Sequence, residues 1–428
     1  MRRGNRYRLE RRLFQPFLPI FSHALRWGLG LVRSCAEKIF PRKASRQLDA
    51  RLVSGATIIG FMRAECGVGE AARRLFLTLK TVNYPVAATC LTARQFEERD
   101  SNLARYFTEQ TNYRYDIFNV NANDILRRPS LLRHSARSSY RIGVWAWELA
   151  RFPHALMKAF DHLDEVWVPS KFVYDAVAPA STKPVAIFPH AVPSIEPPAT
   201  YDRNYFGLRP DAFVILVAFD LNSHLTRKNP QGAIEAVRRA FGSAAKPNVQ
   251  LVIKLHGLGF SNARKKVHKA LGGFPEAVII DRVLSREEMW GLQACCDVYL
   301  SLHRSEGFGL NIAECMALGK CVIATNYSGN TDYFDKTCGA PVGYSLIRVG
   351  KSDYIFPENQ YWAEPDIDEA ARLLRRAAED AAWRASLGRA ARIRIVTTLS
   401  YEAVGKRIVE RLSALDADFE TLSLARRA

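Results

Sequence analysis

Short apolar runs recur along the chain and alternate with stretches of helical periodicity. Residues 56–62 predict a strand and residues 63–69 a loop. Residues 70–82 predict a helix, because Ala71, Ala72, Leu75, Phe76, Leu79 and Val82 fall on one helical face. Further strands are predicted at residues 86–89, 115–120, 141–145, 165–168 and 185–188. The proline-rich, aperiodic segment 192–200 then predicts a linker. A second series of strands follows at residues 213–219, 250–255, 277–280, 298–302 and 321–325. From Asp368 onward the sequence is rich in Ala, Arg, Leu and Glu and predicts helices. Strands alternating with helices predict mainly parallel, doubly wound sheets, hence an α/β protein.

A chain of 428 residues has room for two cores, so one domain is expected on each side of the linker. The expected boundaries are a leader at 1–50, a first Rossmann-like domain at 51–195, a second at 204–395 and a helical segment at 396–428. Apolar residues make up 48% and charged residues 24%, which excludes a disordered chain. The net charge of +18 is uneven. The first 50 residues hold 12 Lys/Arg against 3 Asp/Glu, and so carry half of the excess. Beside Arg2, Arg3, Arg6, Arg8, Arg11 and Arg12 stand Phe14, Phe17, Leu18, Phe21 and Trp27, a mixture suited to an anionic membrane surface. Either residues 1–46 anchor the chain peripherally, or they are a basic tail. No stretch reaches the ~20 apolar residues of a spanning helix. The eight cysteines lack Cys-x-x-Cys spacing, which points to a reducing, cytoplasmic setting rather than a disulfide or zinc framework.

The chemistry is concentrated in Ser305-Glu306-Gly307-Phe308-Gly309-Leu310-Asn311-Ile312-Ala313-Glu314. It lies between two predicted strands, and residues 311–318 predict a short helix stopped by Gly319. The glycines therefore sit at a strand-to-helix turn, where exposed N–H groups and the helix dipole favour an anion. Glu314 lies about one turn into the helix, where its carboxylate can accept two hydrogen bonds from a vicinal diol. Phosphates at the turn and a ribose at Glu314 would together fit a sugar nucleotide.

This segment resembles the donor site of retaining glycosyltransferases of the GT-B architecture, in particular family four. The loop Ala324–Asp332 resembles the one that closes the sugar-phosphate pocket there. The resemblance covers residues 56–395 and implies two Rossmann-like domains facing a central cleft. It implies that Glu306 contacts the donor sugar, that Gly307, Phe308, Gly309 and Leu310 line the donor site, and that Glu314 holds the ribose. Gly67 and Gly69 correspond to the family's N-terminal glycine loop. Lys228 matches the lysine that neutralises the diphosphate. The family's usual arginine would fall near Asn222 or Ser223, where this sequence departs. Arg227 and Lys254 are the candidates for the second cation, or else solvated surface residues. Segments 143–149 and 164–170 resemble those of bacterial polysaccharide glycosyltransferases. There Trp147 would stack on a sugar, Glu148 would hold an acceptor hydroxyl, and Trp145 and Trp167 would be core. His190 either approaches a substrate or is structural.

The implied enzyme is retaining and metal-independent, of hexosyltransferase type. It would move sugar from a nucleoside diphosphate sugar to a glycan or lipid-linked acceptor in bacterial polysaccharide or lipopolysaccharide assembly. No cofactor is expected, and no metal, since no Asp-x-Asp stands at a predicted strand end. Two rivals stand beside it. A sugar-nucleotide-binding subunit without activity would explain the departure at Asn222–Ser223. A nucleic-acid-binding protein would explain the charge, but no nucleic-acid motif accompanies it.

Overall fold

A computed structural model describes residues 51–92, 103–109, 111–135, 138–242, 248–257, 262–272, 274 and 277–425. The basic leader lies outside the described residues. The first series of apolar runs forms strands β1 (Val53–Gly60), β2 (Val86–Cys90), β3 (Tyr113–Asn119), β4 (Tyr140–Val144), β5 (Glu165–Val168) and β6 (Val185–Ile187). They pair in the order β2-β1-β3-β4-β5-β6, all parallel. Residues 188–212 carry no helix or strand. The second series forms β7 (Phe213–Asp220), β8 (Val249–His256), β9 (Ala277–Asp281), β10 (Val298–Ser301), β11 (Cys321–Thr325) and β12 (Ala340–Val342). Their order is β12-β11-β10-β7-β8-β9, again all parallel.

The runs are continuous rather than alternating because both faces of most strands are covered. Every residue of β11 is buried, and β8 is buried except at its last residue. Helices supply the covering layers. Helix α1 (Gly67–Thr81) buries Ala72, Phe76 and Leu79 against the first sheet. In the second domain α2 (Leu225–Lys228) is a single turn that leads into α3 (Pro230–Phe241). Asn229 caps α3 through its side chain and Pro230 begins it, a start signal readable in the sequence. A capping box of Ser285 and Glu288 starts α4 (Arg286–Cys295). Helix α5 (Leu310–Ala317) follows the glycine turn.

The structure corrects the expectation in three places. Gly67, Val68 and Gly69 are the first turn of α1 rather than a loop before it. Strand β12 was not anticipated. Nor was the antiparallel pair β13 (Tyr344–Arg348) and β14 (Tyr361–Pro365), which forms a separate small sheet. Each strand of that pair is only five residues long. Such short runs carry little periodic signal.

The C-terminal helix α6 (Tyr401–Ala425) returns to the first sheet and packs along α1. Arg411 pairs at 2.7 Å with Glu165, a fully buried carboxylate of β5. Tyr115 of β3 donates to the Leu412 carbonyl at 2.9 Å and to Asp416 at 2.5 Å. Trp167 Nε1 and Tyr140 also donate to Glu165, so loss of Arg411 removes the charge but not every hydrogen bond. Arg411→Met should therefore destabilise by about 1.5–3 kcal/mol, the scale of a hydrogen bond to a charged group. A lowered urea midpoint checks it, with Arg411→Lys expected to recover part of the loss.

Candidate active site

Each sheet reverses its winding next to its first strand, β1 against β3 and β7 against β10. Open parallel sheets bind ligands in the crevice beyond the C-terminal strand ends at such a reversal. The two crevices face each other. Together they form a cavity of about 350 Å³ lined by segments that follow β1, β3, β7 and β10.

Glu306, on the loop after β10, is the centre of one charged cluster. Lys228 Nζ donates to its Oε1 at 2.5 Å, and Arg227 lies 3.3 Å from its Oε2. Burial alone would raise the Glu306 pKa, but Lys228 and Arg227 more than offset it and hold the carboxyl at about 2. Arg227 is 4% exposed, donates to the Ser305 carbonyl at 2.8 Å, and reaches across to Glu148 of the first domain at 3.6 Å. Lys228 and Arg227 thus converge on one carboxylate. Lys254 lies apart. It is buried on β8, donates to the Leu255 carbonyl and to His256, and burial lowers its pKa to about 8.

The glycines are there for close approach. Gly309 has φ +89°, a conformation costly for any side chain, and sits immediately before α5. Gly307 passes beneath the first domain: its carbonyl accepts from Ser170 at 2.7 Å, and an added Cβ would lie 3.3 Å from the Trp147 carbonyl. Phe308 is buried edge-to-face on His190, with ring centroids 5.1 Å apart. Gly307, Phe308, Gly309 and Leu310 all line the cavity. In the Ala324–Asp332 loop, Ser328 Oγ accepts from the Glu306 N–H at 2.8 Å. Asp332 instead accepts from the Lys171 N–H of the first domain at 2.7 Å.

Glu314, one turn into α5, is 1% exposed and lines the cavity. Its Oε1 accepts from Arg74 of the first domain and from Arg286 at 3.1 Å, and its Oε2 accepts from Gln293 at 2.8 Å. Glu70 mirrors it from α1. It accepts from Arg74 at 2.7 Å and Arg73 at 3.1 Å, and pairs with Arg286 at 2.6 Å. Burial opposes ionisation of Glu70, yet Arg286, Arg74 and Arg73 hold it at about 2.

The first-domain residues divide. Gly67 lines the cavity, and a Cβ added there would meet nothing within 4 Å. Gly69 does not line it. Its Cβ would stand 2.3 Å from the Ala64 carbonyl, so chain packing alone demands the glycine. His190 lines the cavity, half-buried, and desolvation together with Arg74 lowers its pKa to about 4. Glu148 lines it too. Trp147 does not: it is 4% exposed among Phe152, Tyr354 and Phe356, with Nε1 donating to the Arg151 carbonyl. That overturns the expectation of an open stacking platform. Trp145 and Trp167 are core, as expected.

Sequence reasoning missed Tyr354. It lies between β13 and β14 and donates to Glu148 Oε2, while Gln360 makes two hydrogen bonds to the Arg151 backbone. The aromatic pair Tyr361-Trp362 was the available signal for this hairpin. Arg74 and Arg286 were missed as well. Among the described residues, no group of three or more His, Cys, Asp or Glu side chains stands where it could hold a metal ion.

Two facing, doubly wound parallel sheets with a cleft between them define the GT-B fold, and solved structures share it. HepE from Anabaena, crystallised with UDP and glucose, superposes with TM-score 0.58 at 15% identity over 85% of this chain and 100% of that one. Sucrose-phosphate synthase from Thermosynechococcus elongatus gives TM-score 0.61 at 16% identity over 86% and 100%. Residues 210–394 match the family described as Glycosyl transferases group 1, in agreement with the resemblance carried by Glu306 and Glu314. A glycosyltransferase-like protein of Acidianus filamentous virus 1 is 38% identical over 79 residues. That match spans 18% of this chain and 23% of the viral protein.

The buried charges set how stability depends on pH. His190 binds its proton near pH 4 when folded against 6.5 ordinarily, so the unfolded chain takes up more protons between those values. Its contribution is lost as pH falls from 6.5 to 4. Glu70 and Glu306 titrate at about 2 against 4.5, and their contribution is lost as pH falls from 4.5 to 2. Urea midpoints across pH 7 to 3 should fall in these two stages. His190→Gln should flatten the upper stage, and Glu306→Gln should shallow the lower, with the Glu70 share remaining.

Proposed function

We propose that this chain is a glycosyltransferase that takes its sugar from a nucleoside diphosphate sugar. The observation that carries the reading is the convergence of Lys228 and Arg227 on Glu306, directly before the Gly307–Gly309 turn and one helical turn from Glu314. Two cations and a helix N-terminus suit the negative charge that builds on a diphosphate as its bond to the sugar breaks. HepE, which shares the fold, has been crystallised with UDP-glucose. We assign Glu306 to the donor sugar, Glu314 to the ribose, Lys228 and Arg227 to the diphosphate, and Glu148 to the acceptor hydroxyl. Gly67 leaves open backbone opposite, and His190 bounds the site as a neutral ring. Lys254 is left outside the diphosphate site, because its ammonium is taken up by β8 and His256.

The reaction we propose retains the anomeric configuration, by attack on the face from which the diphosphate leaves, with the departing phosphate taking the acceptor proton. No protein nucleophile is assigned and no metal is required. The acceptor is a glycan or a lipid-linked glycan, in a polysaccharide or lipopolysaccharide pathway.

A thermal-shift panel of UDP, ADP, GDP and CDP and their sugars tests the reading. A ligand at 100 times its Kd adds about 2.7 kcal/mol of apparent stability. One nucleotide series should raise the transition clearly, and silence across the panel overturns the donor assignment. Glu306→Gln should lower turnover by about 10²–10³, the scale of losing one transition-state contact, without weakening nucleoside diphosphate binding, because Lys228 and Arg227 are released to the phosphates. Turnover should persist in excess EDTA, and Mg²⁺-reversible loss contradicts the metal-free mechanism. An NMR spectrum of the first-formed product reports whether configuration is retained.

The leader carries a separate proposal, that residues 1–46 hold the chain on an anionic membrane surface, each Lys or Arg adding about 1 kcal/mol near the surface. Among the described residues no helix is long and apolar enough to cross a membrane. The full chain should co-sediment with phosphatidylserine vesicles at low salt, and a chain starting at Leu52 should not. Equal sedimentation of the two removes the leader from the account.

A further inference from the structure

Ser170 ends the Trp167-Val168-Pro169-Ser170 segment of the first domain and is fully buried. Pro169 lines the cavity, but Ser170 does not. The Ser170 hydroxyl has two partners. Its oxygen accepts from the Val173 N–H at 3.3 Å and so caps the helix Lys171–Val177. Its proton goes to the other domain, to the Gly307 carbonyl at 2.7 Å, 137 positions further along the chain. Next to it the Lys171 N–H donates to Asp332 at 2.7 Å. One corner of the first domain thus holds both the glycine turn and the loop beside it.

The Gly307–Phe308 peptide is held from two directions. Ser170 meets the tip of its oxygen. Gly329 lies flat against its face: a Cβ added to Gly329 would stand 2.1 Å from the Gly307 oxygen, 2.4 Å from the Gly307 carbonyl carbon and 2.8 Å from the Phe308 nitrogen. A planar trans peptide points its carbonyl and its N–H in opposite directions. Fixing the Gly307 carbonyl therefore fixes the direction of the Phe308 N–H. Glycine needs such restraint, because no side chain limits its backbone rotation. Among the described residues, the N–H groups of Gly307 and Phe308 have no hydrogen-bond partner, although both residues are buried. Buried backbone donors are nearly always paired. These two belong to residues that line the cavity, where a ligand can take them.

We propose that Ser170 is a positioning residue for this turn: by holding the Gly307 carbonyl it aims the Phe308 N–H at the diphosphate of the donor. The proposal rests on the reading of the turn as the diphosphate's anion site. Ser170 touches no substrate and acts through the backbone of the opposite domain. Its effect falls on the phosphate that bears the sugar, because the turn directly follows Glu306, the residue assigned to that sugar. In a nucleoside diphosphate this is the β-phosphate, which a nucleoside monophosphate lacks.

The test is titration calorimetry of the full chain with UDP, ADP, GDP and CDP and with UMP, AMP, GMP and CMP. It is run on the unmodified protein, on Ser170→Gly and on Ser170→Cys. Ser170→Gly removes the hydroxyl, and glycine is a tolerated N-cap. Ser170→Cys keeps the shape with a weaker donor, and serves if the Gly variant folds poorly. Ser170→Gly should bind the preferred diphosphate about tenfold more weakly, the scale of one hydrogen bond to a charged group, and its monophosphate as before. The ratio of the two affinities should fall in Ser170→Cys as well, by less. A role in helix capping alone weakens both ligands alike. An unchanged ratio, whether the two affinities hold or fall together, therefore overturns the positioning while leaving the donor reading intact. Absence of binding by every nucleotide to the unmodified protein overturns the donor reading itself, and the positioning with it.

Discussion

Three buried carboxylates and a half-buried fourth stand where the two sheets face each other, and the cost of burying them governs what surrounds them. Glu306 and Glu314 belong to the second domain, Glu70 and Glu148 to the first. Leaving one of them without a partner costs several kcal/mol, so each must hold a cation or a strong donor. Arg227 answers Glu306 and Glu148 together, while Arg74 and Arg286 answer Glu70 and Glu314. Because the cations are shared across the cleft, the domains are not free to take any relative position. The pairing that makes burial tolerable also fixes how the two crevices meet.

Two later segments reinforce that position from outside the cleft. Helix α6 leaves the second domain and completes the first sheet's layer, with Arg411 on the buried Glu165. The β13–β14 hairpin does the same on the opposite flank, where Trp362 and Tyr354 enter the first domain's aromatic core. Phe356, in the same hairpin, holds φ +51°, an unusual conformation for a bulky residue. Strain of this kind persists only where surrounding contacts over-determine the backbone. Trp147 and the Gln360–Arg151 hydrogen bonds supply such contacts. The hairpin thereby delivers Tyr354 to Glu148, so this side of the cleft is assembled from both domains.

The sheet strands were legible because parallel sheets are covered on both faces. Their apolar runs are long and uninterrupted, and the predicted strands overlap β1 to β11 with shifts of a few residues at the ends. Glu306, Lys228 and the glycine turn were legible because their spacing follows from one strand, one turn and one helix. What failed was everything that depends on a partner from the other domain. Arg74 lies four residues after Glu70 on α1, where it reads as an ordinary helical ion pair. Its bond to Glu314 joins residues 240 apart, and no local pattern encodes that. Trp147 failed for the same reason: its neighbour Tyr354 arrives from a hairpin too short to announce itself.

The charge balance of the cleft bears on what could share it. Around Glu306 two negative carboxylates, Glu306 and Glu148, face two cations, Lys228 and Arg227, so the side chains of this half balance one another. A diphosphate brings further negative charge and needs those same cations. It can win them only by taking them partly from Glu306 and Glu148, which are then free to accept hydrogen bonds from hydroxyl groups. A sugar on the donor and a hydroxyl on the acceptor supply such donors beside the phosphates. A bare diphosphate does not, and leaves the two carboxylates less well paired than before. On the function proposed above, balancing these carboxylates favours an anion that carries hydroxyl groups next to its charge.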